Sequence, residues 1–156
     1  MATMVGNQKD LAKLLNSLIE LDFDAIAAYR AAIDKLESAE DKGALRGFMA
    51  DHERHTVDLR PFVQRFGEKP AESTDAKVIL TKGKVVIAGL MGDKAILEAM
   101  KTNEDDTNRA YERATARTDL PDDLRAVLVK NLSDERRHRE YIVSRLGTQE
   151  ALRGHP

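Results

Sequence analysis

The chain has 156 residues, 42% hydrophobic and 33% charged, enough to bury one helical core. We read residues 1–156 as a single domain with its core over about 8–147. A net charge of -2 and a pI near 6.1 argue against nucleic acid as a partner, because phosphate binding needs a clustered basic surface. The absence of cysteine excludes disulfides, thiolate zinc sites and iron–sulfur clusters, and fits a reducing cytoplasm.

The N-terminal MATMVGNQKD lacks the apolar run of a signal peptide. The longest apolar run, Val85 to Met91, is too short to span a membrane, so a soluble cytoplasmic protein is expected. The first predicted helix, about Gln8 to Glu37, spaces Leu11, Leu15, Leu18, Ile26, Ile33 and Leu36 along one face. Asp22 shares a stripe with Leu15, Leu18, Tyr29 and Ile33 and is expected in the core. Glu20 and Asp24, about 200° round the helix, are expected in solvent.

The second predicted helix, about Glu40 to Phe66, puts Leu45, Phe48, Leu59, Phe62 and Phe66 on one stripe. Gly43 and Gly47 weaken it by roughly 1 kcal/mol each, and Pro61 predicts a kink or an early end. The connection from Gly67 to Gly92 can run the length of a 25-residue helix, roughly 37 Å at about 1.5 Å per residue. Within it, KVVIAGLMGDKA imitates a strand, a glycine turn and a helix start. Without GxGxxG or a second strand candidate, a nucleotide fold is the weaker reading, and a short helix or irregular packed segment is expected. The third helix is expected from Asp93, as N-cap, to Arg117. The fourth is expected to begin after Asp119, with Pro121 in its first turn, and to stop at Gly147. The tail TQEALRGHP is too short for another substantial helix, and His155 in it is expected to be exposed. Short links make helices one and two, and three and four, antiparallel pairs, so the expected fold is an all-α four-helix bundle with one long crossover.

Two sequence blocks recur. DFDAIAAYRAA, from Asp22, aligns with EDDTNRAYERA, from Glu104, at an offset of 82; DHERH, from Asp51, aligns with DERRH, from Asp134, at 83. Blocks recurring in order point to two related helical hairpins. Asp22 and Tyr29, like Glu104 and Tyr111, stand seven apart and share a helix face. His52-x-x-His55 falls on the stripe of Phe48 and Leu59, and Glu135-x-x-His138 on that of Leu128 and Ile142. Each such pair projects two donors into one space, so Asp22, His52, His55, Glu104, Glu135 and His138 are expected to converge. Six polar groups in a core form either a metal site or a metal-free polar layer. Unpaired buried carboxylates cost several kcal/mol each, which a divalent cation removes.

With these residues the chain resembles the ferritin-like di-iron carboxylate proteins, in which two helices give one acid each and two give Glu-x-x-His. LNSLIELDFDAIAAY, FMADHERHTVDL, GDKAILEAMKTNEDDTNRAYE and DERRHREYI look, more narrowly, like the uncharacterised bacterial ferritin-like bundle proteins, over about residues 10 to 147. The resemblance implies Asp22 and Glu104 as terminal carboxylates, Glu135 as bridging carboxylate, and His55 and His138 as histidine ligands. His52 departs from it, standing where a second bridging glutamate belongs, and Asp22 is one methylene short of the usual glutamate. One ion, or an asymmetric pair, is therefore an alternative to a dinuclear centre. Glu53, about 100° round from His52, is not counted a ligand.

The first expected function is redox. Iron, with zinc or manganese as alternatives, reacts with dioxygen or peroxide in a di-iron oxidase or ferroxidase-like manner, and Tyr29 and Tyr111 assist as hydrogen bonders or radical sinks. A non-catalytic, stress-related bundle with a structural metal or none is the second, and a helical interaction module the third. Paired hairpins are compatible with a homodimer.

Overall fold

The structure, a computed structural model, describes residues 10–72 and 87–153, with side chains described as far as residue 148. Four helices follow in chain order: α1 Leu11–Lys35, α2 Ala39–Arg65, α3 Asp93–Thr115 and α4 Asp122–Arg153. Short polar side chains open the first hairpin. The Asp10 carboxylate accepts from the backbone N–H of Lys13 at 3.2 Å, and Ser38 Oγ accepts from that of Asp41 at 3.2 Å.

Two sequence expectations about helix ends fail, and of the two outcomes expected at Pro61 the early end does not occur. Gly92, not Asp93, is the N-cap of α3, at a φ of 88° that favours glycine. Asp93 enters the first turn, and its carboxylate accepts from the N–H groups of Glu37 and Ser38, at 2.8 and 3.0 Å, in the turn between α1 and α2. It therefore fastens the end of the crossover to the first hairpin. Pro61 does not end α2, which continues to Arg65. The bond it cannot make falls four residues back at Val57, 60% exposed, on a side where water can serve the freed carbonyl. Nor does Gly147 stop α4. It is exposed and keeps a negative φ, and the helix-forming residues after it carry α4 to Arg153. TQEALR is thus the end of α4, and His155 lies outside the described residues.

Among the described residues α1 packs on α2 and α3, and α4 packs on α2 and α3, while the backbones of the diagonal pairs stay apart. Arg65 meets Asp123, and Arg145 meets Asp41, so α4 runs antiparallel to α2. The crossover leaves α2 beside Asn16, whose side chain binds Lys69 and Ala71, and returns beside Lys35, whose ammonium donates to the Ala88 carbonyl. Its described ends therefore lie near opposite ends of α1. The part expected to be a short helix or packed segment lies mostly outside the described residues. Of the remainder, Ile87 is buried and begins a turn closed by the Leu90 N–H. The chain is an all-α four-helix bundle of two hairpins, as the periodicity and loop lengths imply.

Two apolar clusters fill the bundle. One gathers Leu15, Leu18, Leu59, Leu124 and Leu128 near the start of α1; the other gathers Ile33, Leu45, Leu97, Met100 and Ile142 near its end. Asp24 is only 8% exposed and Glu20 partly buried, which corrects the expectation that both face solvent. α1 has α2 and α3 on two flanks and the ends of the crossover against it, so more than one stripe is covered.

Candidate metal centre

Between the two apolar clusters lies a polar layer. α1 contributes Asp22, α3 Glu104, α2 His52 and His55, and α4 Glu135 and His138, all with 0% exposure. The i, i+3 spacing turns both members of each α2 and α4 pair inward, and helix packing brings the four faces together. His52 Nδ1 is 2.7 Å from Asp22 Oδ1, and its Nε2 is 3.3 Å from Glu104 Oε1. His55 Nδ1 lies 3.3 Å from both Asp22 Oδ1 and Glu135 Oε1. His138 Nδ1 lies 3.5 Å from Glu104 Oε1 and 3.6 Å from Glu135 Oε2. Two overlapping groups result, Asp22–His52–His55–Glu135 and His52–Glu104–Glu135–His138, with donor atoms in each within 4.8 Å of one another. Glu53 is exposed and belongs to neither.

The repeat reappears as an exchange of bonds. Tyr29 of the first hairpin donates to Glu104 of the second, and Tyr111 of the second donates to Asp22 of the first at 2.6 Å. His55 Nε2 meets Asp134 Oδ2 at 3.0 Å, and His138 Nε2 meets Asp51 Oδ2 at 2.8 Å. Arg54 bonds Asp51 and Asp134, and Arg137 bonds the same pair. The second hairpin thus finishes what the first begins, and the reverse. Only His52, matched by Glu135, breaks the equivalence.

Asp51, Asp134, Arg54 and Arg137 were not singled out from the sequence as site residues, although they stand in the repeated DHERH and DERRH blocks. The signal was present, but exposed charges on a helix ordinarily read as solvated. Two further supports carried no signal. Thr107 Oγ1 donates to Glu104 Oε2 at 3.1 Å, and Asn108 Nδ2 donates to the backbone carbonyls of Glu104 and Glu135 at 2.7 and 3.0 Å. An imidazole held at one nitrogen by a carboxylate has its ring and tautomer set for a cation at the other. Asp134→Ala is expected to weaken divalent-metal binding by about 10–100-fold while leaving α-helicity intact, measured by calorimetry and circular dichroism. Unchanged affinity would reduce Asp134 to a surface ion pair.

Burial disfavours charge throughout this layer, and neighbours decide the outcome. For Asp22, burial is outweighed by His55 and His52, which hold the carboxyl below its usual range. His138 and His52 do the same, more strongly, for Glu104. Glu135 goes the other way. Burial raises it, and the Glu104 charge adds to that against the pull of His52. Burial would lower the histidines, but Asp22 and Glu135 push His55 up to about 10, Glu104 and Glu135 push His138 up to about 9, and Glu135, Asp22 and Glu104 push His52 well up. Burial, with Glu104 beside Tyr29 and Asp22 beside Tyr111, keeps both phenols protonated.

The donor set fits a divalent cation. Both oxygens of Glu135 and Nδ1 of His138 are buried without a hydrogen-bond partner. Fully buried polar atoms are rarely left so, and Glu135 and His138 stand in one group of possible ligands, with His138 Nδ1 3.6 Å from Glu135 Oε2. A family described as a domain of unknown function (DUF2383) matches residues 10–117, well over half of the chain. The chain belongs to that family. The match takes in α1, α2 and α3, hence Asp22, His52, His55 and Glu104, while Glu135 and His138 stand on α4 beyond it. No curated protein and no solved structure matches the chain. No described helix is long and apolar enough to cross a membrane.

Proposed function

We propose that this DUF2383 protein is a ferritin-like metalloprotein of the cytoplasm, holding iron in the polar layer with Asp22, His52, His55, Glu104, Glu135 and His138. The observation that carries the reading is the set of three buried ligand atoms, two on Glu135 and one on His138, that no hydrogen bond satisfies. Mixed carboxylate and imidazole ligation suits iron or manganese, and zinc is compatible with it. Bound iron would supply the electrons for reduction of dioxygen or peroxide.

The chain's own groups do the rest. Asp134 and Asp51 hold His55 and His138 with Nδ1 inward, and their bonds to the partly exposed Arg54 and exposed Arg137 lead towards solvent. Metal binding displaces the Nδ1 protons, while the Nε2 protons stay in the bonds to Asp134 and Asp51 and keep the tautomer set. Tyr111 and Tyr29 orient the Asp22 and Glu104 carboxylates and, being buried and protonated, are the nearest hydrogen donors to the layer. The apolar clusters on either side limit water.

One observation favours a second reading, a metal-free polar layer in a non-catalytic bundle: each of the three histidines already faces carboxylates at 2.7–3.6 Å. The test is the metal content of untagged protein purified without added metal, then of protein loaded anaerobically with iron(II), followed by oxygen uptake. Stoichiometric iron, lost in Glu135→Ala, and iron-dependent oxygen consumption are expected. Protein that stays empty after loading would establish the polar layer instead. Iron bound but inert to both dioxygen and peroxide would end the redox half.

A further inference from the structure

Resting on the metal reading above, we infer that the two ion positions are unequal: the one made by His52, Glu104, Glu135 and His138 fills first and tightly, and the one made by Asp22, His55 and Glu135 takes a second divalent cation weakly. Each group has His52 within reach, but a neutral imidazole has one lone pair and one N–H. His52 Nδ1 stands 2.7 Å from Asp22 Oδ1, a full hydrogen bond, whereas its Nε2 stands 3.3 Å from Glu104 Oε1. With the proton on Nδ1, donated to Asp22, the lone pair sits on Nε2 and faces Glu104.

The unpartnered atoms agree independently. His138 Nδ1 has no hydrogen bond and belongs to the position with Glu104, as does Glu135 Oε2 3.6 Å from it, while Glu135 Oε1, also without one, lies 3.3 Å from His55 Nδ1 of the other position. His55 Nδ1, the corresponding atom of the other position, is already bonded to Asp22 Oδ1 at 3.3 Å. The cause is the one break in the repeat. Glutamate at position 52 would offer an oxygen to each ion, as Glu135 can, whereas imidazole with Asp22 beside it serves one. The second position is left with three residues and keeps the remaining coordination sites for solvent or a small ligand.

The experiment is a cobalt(II) titration of the metal-free full chain, followed by visible absorption and by equilibrium dialysis. Two steps are expected, the second at least tenfold weaker. Glu104→Gln should remove the tight step, Asp22→Asn only the weak one, and His52→Glu should bring the two affinities within about threefold. Two equal steps in the unaltered chain, or loss of the tight step in Asp22→Asn but not in Glu104→Gln, would overturn the order while leaving the metal reading standing. Absence of any uptake would bring down both. The titration of the unaltered chain decides the inequality even where a variant fails to fold, which circular dichroism reports.

Discussion

Glu135→Gln is expected to lower metal affinity at least about 100-fold, or roughly 2.7 kcal/mol, without destabilising the metal-free protein. Four-ligand structural sites bind zinc with roughly 10–16 kcal/mol, so one ligand carries about 3. Glu135 is the one carboxylate present in both donor groups, so neither position is complete without it. The two properties should separate because Glu135 contributes differently to each. Its oxygens accept no hydrogen bond, and burial pushes its pKa up, which is to say that its charge costs stability in the folded chain. Glutamine has the same shape and no charge to desolvate. The metal-free variant should therefore unfold in urea within about 1 kcal/mol of the parent, or later. A drop of several kcal/mol in chelator would identify Glu135 as the anionic partner of a structural ion pair. Unchanged affinity would remove it from the site.

Metal loading at about a hundredfold excess over Kd should add about 2.7 kcal/mol. In a domain of this length that is roughly 5–10 °C in Tm. The gain should widen as pH rises from about 6.5 to 10. In the metal-free protein His55 and His138 are held protonated up to about 10 and about 9, against about 6.5 when unfolded. Groups raised in this way contribute stability that is fully present below about 6.5 and is lost as pH climbs through the folded values. A bound cation takes the place of those protons, so the loaded protein should hold its Tm where the metal-free one declines. Thermal melts at three pH values, with chelator and with zinc, test this. A gap that narrows with pH would mean that the imidazoles are not the groups the cation displaces.

Much of the bundle was legible because helices advertise themselves locally. Leu15, Leu18, Asp22 and Tyr29 recur at helical spacing, and that alone turned Asp22 inward. The short link after Lys35 required an antiparallel neighbour, and the long one before Asp93 allowed a crossover. The failures came where a residue's usual preference met an unusual setting. Gly147 ends helices only when the chain adopts a positive φ there, and it does not. Asp93 is a good cap by type, yet its carboxylate was drawn to two N–H groups more than fifty residues away in sequence. Asp24 lay on the wrong stripe for burial by one neighbour, and α1 has more than one.

The sequence by itself determined that Asp22, His52, His55, Glu104, Glu135 and His138 point inward, since that follows from spacing along one chain. Only the tertiary structure decided which nitrogen of each histidine faces the layer. His55 is turned by Asp134 and His138 by Asp51, partners 79 and 87 residues away on the neighbouring helix, while His52 is turned by Asp22 on a third. Periodicity places a Cβ on a face. The tautomer and direction of an imidazole depend on a hydrogen bond across the bundle, and no spacing within one helix contains it.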